Sequence, residues 1–125
     1  MADNRETVGR GQLSVVGSEI DGITVLGLHG EVDYQSVGAL TRAMPEVDSA
    51  DSHRVVVDMS RVTFMDSSGV NALIAAHQAM RAAHGWLRLA GVRGAVLRTV
   101  QLVGLDTLVS CHATVEDAVE DAVDE

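Results

Sequence analysis

The chain is predicted to be an α/β protein with a single, mostly parallel sheet, opened by an antiparallel hairpin and packed with helices, in the order β-β-α-β-α-β-α-β-α. Three observations lead there. Asp21-Gly22, a pair suited to a tight turn, joins two segments rich in Val, Leu and Ile. Val55-Val56-Val57 is a continuous β-branched run, as expected of a parallel strand covered on both faces. Beyond it, stretches of helical periodicity alternate with short apolar runs, the pattern that builds a parallel sheet through right-handed crossovers. A length of 125 residues suits one domain.

Residues 1–11 are polar, contain Gly9 and Gly11, and are expected to form a flexible lead-in to a domain over 12–125. The hairpin arms fall at 12–18 and 23–29, and the second is apolar at Ile23, Val25, Leu26 and Leu28, which places it inside the sheet. Val37, Leu40 and Met44 share a stripe over 36–44, a helix stopped by Pro45 because the residue before a proline is pushed out of the helical region. A polar loop is expected over 48–51, then a strand over 54–58. Val70, Leu73, Ile74, His77 and Met80 mark a helix over 67–84, with Gly85 at its stop. Trp86–Ala90 reads as a strand, Gly91 to Gly94 as a turn, 95–103 as a short helix and 108–111 as the last strand. Thr114 followed by Asp117 is a short version of the capping box, and Val115, Ala118, Val119, Ala122 and Val123 give the closing helix one apolar face.

Composition removes several classes of function. Hydrophobic residues make up 46 % of the chain, yet Tyr34, Phe64 and Trp86 are its only aromatics, so the core is aliphatic and base stacking has few rings to use. The net charge is −9, and all nine basic residues are Arg. Such a chain repels phosphate backbones and anionic lipids, which argues against nucleic-acid and membrane partners. The charge is uneven: the last twelve residues hold six acids and no base, leaving nine basic against twelve acidic residues before them. Cys111 is the single cysteine, so no internal disulfide forms. With no apolar signal core at the amino end and no apolar run near the ~18 residues that span a bilayer, the expectation is a soluble, cytoplasmic protein.

In an open parallel sheet, chemistry gathers where strands end and helices begin. Two such places stand out, His29-Gly30-Glu31-Val32-Asp33 and Ser60 through Gly69. Asp66, Ser67 and Ser68 can each accept from the first free N–H groups of the following helix, a cap that stabilises by ~1 kcal/mol. The same serines also suit a modification site. A phosphoryl group on Ser67 or Ser68 would bring about −1.5 to −2 charge to a helix end carrying about +0.5, a favourable setting within the molecule. Toward an acidic partner that charge would be repulsive, so one local event could switch binding.

The stretch Val55-Val56-Val57-Asp58 through Thr63-Phe64-Met65-Asp66-Ser67-Ser68-Gly69-Val70 closely resembles the signature of STAS domains, specifically of stand-alone anti-sigma factor antagonists. Gly30-Glu31-Val32-Asp33 and Gly104-Leu105-Asp106-Thr107-Leu108-Val109 extend the resemblance, which spans roughly residues 12–123. It implies a STAS-like fold and a bacterial regulator that, unphosphorylated, binds an anti-sigma factor and so frees a sigma factor. It implies that the anti-sigma factor is a serine kinase modifying Ser68, and that a metal-dependent serine phosphatase restores the binding form. Carried over residue by residue, Ser68 is the phosphoacceptor, and Asp33, Met65, Asp66, Ser67 and Gly69 belong to the same docking surface. The resemblance also leaves a rival within one fold, an accessory or scaffold subunit of a transporter or stress-sensing complex; the freestanding length and intact Asp-Ser-Ser-Gly favour the antagonist.

No catalytic residue, metal or cofactor is assigned. Asp58 with Glu31, Asp33 and Asp66 suggests a phospho-aspartate receiver, but the chain lacks the Lys of such domains, and Asp58 is better read as satisfying loop N–H groups. Hydrolysis would need a base and an orienting acid around the serine, and His29 is the one imidazole placed near that surface. His77 and His84, taken on one helix face two turns apart, are separated by ~10 Å, too far to share a metal. Phe64 and Met65 border the serines as exposed apolar side chains suited to a partner, whereas Met59 and Met80 fill core gaps.

Overall fold

The computed structural model describes residues 12–45 and 53–120. The expected lead-in over 1–11, the loop over 48–51 and the end of the closing helix lie outside them. β1 (Leu13–Ile20) pairs antiparallel with β2 (Ile23–Val32), which is followed in parallel by β3 (Arg54–Met65), β4 (Trp86–Ala90) and β5 (Ser110–His112), in the sheet order β1-β2-β3-β4-β5. The helices are α1 (Val37–Ala43), α2 (Ser67–Ala82), α3 (Gly94–Val103), α4 (Leu105–Leu108) and α5 (Val115–Glu120). At the hairpin turn Asp21 and Gly22 have φ of 53° and 81°, so both central residues are left-handed, as a type I′ turn requires. The second arm lies inside the sheet, as predicted.

β3 is much longer than the predicted 54–58. Its first half pairs with both β2 and β4, but past Asp58 its ladder partner is β2 alone. Two register shifts interrupt that second half: Gly27 pairs with Asp58 but His29 with Arg61, and Gly30 pairs with Val62 but Glu31 with Phe64. Each inserts one extra residue into β3, a bulge that throws side-chain alternation out of step. A sequence scan for period 2 therefore stops at the first bulge. Asp58 Oδ1 accepts from Ser60 N–H at 3.0 Å across it, the satisfying role expected of Asp58.

The helix ends follow local chemistry. Met44, before Pro45, has left the helical region (φ −65°, ψ 141°). α2 stops at Ala82, two residues earlier than predicted. His84 takes the left-handed position (φ 66°), its N–H donates to Arg81 C=O at 3.0 Å, and Gly85 N–H donates to Met80 C=O at 2.7 Å. That pair of bonds is a Schellman closure with His in the place glycine usually holds. His84 is thus outside the helix and shares no face with His77. Gly85 serves a different need: a Cβ there would overlap the His53 carbonyl, which accepts from Trp86 N–H at 2.8 Å. The four-residue α4 occupies the place where the last strand was predicted to begin, so β5 starts at Ser110.

Two cores flank the sheet. Val55 and Val57 face the larger one with Leu26, Leu28, Leu73, Leu89 and Val100, beneath α1 to α4. Val56 turns to the other face, with Ile23, Val25 and Ala90, beneath α5 residues Ala118 and Val119. The buried Arg88 joins α5 to β4 by donating from Nη1 to Ala118 C=O at 2.9 Å while lying 4.1 Å over the Trp86 ring. Thr114 Oγ1 accepts from Asp117 N–H at 3.0 Å, the predicted cap of the closing helix. No helix among the described residues is long and apolar enough to cross a membrane.

Candidate functional site

The ribbon formed by the second halves of β2 and β3 carries the two predicted strand ends side by side. Val32 pairs with Met65, and Asp66 N–H donates to Val32 C=O at 3.1 Å, so the chain leaves β2 and β3 at adjoining points. Asp33 and Asp66 follow directly, and each organises the helix that comes after it.

At the start of α2, three short side chains could have capped. Asp66 alone does so: its backbone is extended (φ −106°, ψ −169°), and Oδ1 accepts from Ser68 N–H at 2.8 Å and Gly69 N–H at 3.4 Å. The Ser67 and Ser68 hydroxyls are left out of the cap. Ser67 is exposed and Ser68 half-buried, so neither is sealed in the core. The arrangement changes one expectation. A phosphate on Ser68 would find the Ser68 and Gly69 N–H groups already held by the Asp66 carboxylate.

Asp33 does the same work for α1 through a longer turn. Its Oδ1 accepts from Gln35 N–H at 3.0 Å and Ser36 N–H at 2.9 Å, while Ser36 Oγ accepts from Asp33 N–H at 2.9 Å and donates to Glu31 C=O at 2.6 Å. The reciprocal Asp33–Ser36 bonds form a capping box, a pattern legible in the sequence as Asp-x-x-Ser and missed there. Between them Tyr34 stands 83 % exposed on a turn fixed at both ends.

Strand alternation separates two residues that the sequence grouped together. Phe64 is 46 % exposed, whereas Met65 is only 4 % exposed and belongs to the larger core. The prediction of Met65 as an exposed apolar contact is thereby corrected. Gly69 is also buried, and a Cβ there would press on Met65 and Val32, so its part is to let α2 approach the strand ends closely. On the neighbouring turn, Arg93 Nη2 donates to Ser60 C=O at 3.0 Å, and a Cβ on Gly91 (φ 73°) would lie 2.9 Å from Ser60 Cβ. The segment from Gly91 to Gly94 is a packed strand-to-helix turn.

His29 lines a shallow groove with Ser14, Asp58 and Arg61. The carboxylates of Asp33, Asp58 and Asp66 each hold backbone N–H groups, and no cluster of His, Cys, Asp and Glu suited to a metal occurs among the described residues. Burial, and secondarily the Arg81 guanidinium, lowers His77; burial, and secondarily the Asp106 carboxylate, raises the Cys111 thiol.

This fold and sequence have known counterparts. The anti-sigma-F factor antagonist RsfB of Mycobacterium tuberculosis is 31 % identical over 107 residues, 85 % of this chain and 86 % of that protein. The structure of an anti-sigma factor antagonist from Mycobacterium paratuberculosis superimposes with a TM-score of 0.79 at 28 % identity, covering 92 % of this chain and 97 % of the other. Bacillus SpoIIAA in its phosphorylated form has the same fold, with a TM-score of 0.67 at 22 % identity over 87 % of this chain and 99 % of the other. The STAS domain profile matches residues 15–118, and with a sheet, helix caps and strand-end serines arranged as described, the chain belongs to the STAS domain family.

Proposed function

We propose that this chain is an anti-sigma factor antagonist acting in the cytoplasm. Its unphosphorylated form binds an anti-sigma factor and releases a sigma factor, and phosphorylation of Ser68 ends that binding. The observation that carries the proposal is the division of labour at the start of α2: Asp66 takes the cap, leaving the half-buried Ser68 with its hydroxyl outside it. The partner would be a serine-kinase anti-sigma factor. In the transfer, Ser68 Oγ bonds to the γ-phosphorus of ATP, the bond to the β-phosphate oxygen breaks, ADP departs, and a base on the kinase takes the hydroxyl proton. A metal-dependent serine phosphatase would reverse the modification with water, returning the free hydroxyl and inorganic phosphate. Asp33, Asp66 and Ser67 would line the docking surface, with Gly69 shaping it from beneath. The likeness to RsfB in sequence supports this assignment.

Incubation with the anti-sigma factor kinase and ATP, followed by peptide mass spectrometry, is expected to place one phosphoryl group on Ser68. In calorimetric titrations, Ser68→Ala is expected to bind as tightly as wild type and Ser68→Asp to bind more weakly by about 1 to 3 kcal/mol. Equal affinities of the two variants, with no phosphate on Ser68, would remove that residue from the mechanism.

A further inference from the structure

Among the described residues, the aromatic side chains divide in a way that the fold does not need. Trp86 packs against the second core and carries the Arg88 guanidinium, so it contributes to folding. Tyr34 and Phe64 do little of this, being 83 % and 46 % exposed. Both stand at the same strand ends: Phe64 pairs with Glu31 in the ladder, and Tyr34 is two residues beyond Val32, the partner of Met65. Their backbones are also fixed, Phe64 by the β2–β3 ladder and Tyr34 by the Asp33–Ser36 box, which needs no contact from the ring.

An exposed aromatic on a rigid backbone loses little freedom when it is buried by a partner, and aromatic side chains of this kind dominate binding energy at protein interfaces. The surroundings also define the partner's chemistry. Glu31 and Asp33 lie at the same strand ends in a chain of net charge −9, so the complementary surface has apolar pockets with a cationic rim facing these carboxylates, and a dry or acidic patch over Ser68 where an added dianion is unfavourable.

We infer that Tyr34 and Phe64 are the affinity anchors for the anti-sigma factor, while Ser68 gates access to them. This rests on the antagonist function proposed above, since a kinase that reaches Ser68 must cover the strand ends beside it. Recognition and switching are therefore carried by different residues. The anchors hold the partner while Ser68 is unmodified, and the charge of a phosphate on Ser68 overrides that hold.

The test uses the full chain and the same anti-sigma factor kinase, with affinity read by calorimetry and the fold checked by circular dichroism. Tyr34→Ala is expected to weaken binding by about 30-fold and Phe64→Ala by about 10-fold or more. Tyr34→Phe keeps the ring body and is expected to stay within about threefold of wild type, as is Leu102→Ala, which removes a side chain 79 % exposed near the end of α3. Because Tyr34 is so exposed, its alanine variant is expected to melt with the wild type, and it carries the test if Phe64→Ala is destabilised. Should both alanine variants bind as wild type while Ser68→Asp still weakens binding, the anchor assignment is wrong and the switch stands. Absence of both wild-type binding and Ser68 phosphorylation would remove the two together.

Discussion

Phosphorylation of Ser68 would put a dianion next to the Asp66 carboxylate, because Asp66 Oδ1 already holds the Ser68 and Gly69 N–H groups at 2.8 and 3.4 Å. At residue scale the modification therefore competes with the cap. The favourable helix-end field is partly answered before the phosphate arrives, and the added charge is left to act outward on a partner and sideways on Asp66. A testable coupling results. Ser68→Asp is expected to lower stability in the wild-type background by about 0.5 to 1 kcal/mol, and by clearly less when combined with Asp66→Asn, which keeps an acceptor for the cap but removes its charge. Urea unfolding of the four proteins in a double-mutant cycle measures this. Additive effects would mean that the two side chains do not interact.

At the scale of elements, the two ends of α2 differ in how far the local sequence reports them. The start was legible because N-cap chemistry is local: Asp-Ser-Ser-Gly offers short acceptors wherever it occurs before an apolar stripe. The stop was misplaced because Gly85 looked like the closing glycine, whereas a contact with His53, remote in sequence, is what excludes a side chain there. His84 takes the left-handed position instead, at a backbone cost that only glycine escapes. His84→Gly is accordingly expected to stabilise the protein by about 0.5 to 1 kcal/mol, read as a rise in Tm of several degrees. An unchanged or lower Tm would show that the imidazole makes a compensating contribution. The second half of β3 was missed for a related reason. Its bulges place Met59, Val62 and Met65 in the core three residues apart, a spacing that no strict alternation in the sequence reports.

For the whole molecule, stability should depend on pH through His77. Its side chain is buried on α2, Nδ1 has no hydrogen-bond partner, and burial followed by the Arg81 guanidinium lowers its pKa from 6.5. The unfolded chain then binds a proton more readily than the folded one, so stability is fully present above about pH 6.5 and declines as pH falls through that value toward the lower folded pKa. The decline from this group cannot exceed about 1.4 kcal/mol per pH unit. His77→Leu, which fills the site without a titrating atom, is expected to flatten the dependence of Tm on pH between about 8 and 5.5. Parallel profiles for the two proteins would acquit His77.

The amino-acid sequence alone determined the class of fold, the order of its main elements, the Asp21-Gly22 turn, the place of β2 inside the sheet and the candidate serines before α2. Each of these depends on residues within a few positions of one another, through turn geometry, periodicity and capping. The tertiary structure decided that Asp66 rather than a serine caps α2, that Asp33 and Ser36 close a reciprocal box, and that Phe64 faces outward while Met65 is buried. It also placed Tyr34 beside the end of the β2–β3 ribbon. These outcomes depend on strand register and on close approach between segments far apart in the chain, and one-residue shifts at the β3 bulges are enough to exchange an inward side chain for an outward one.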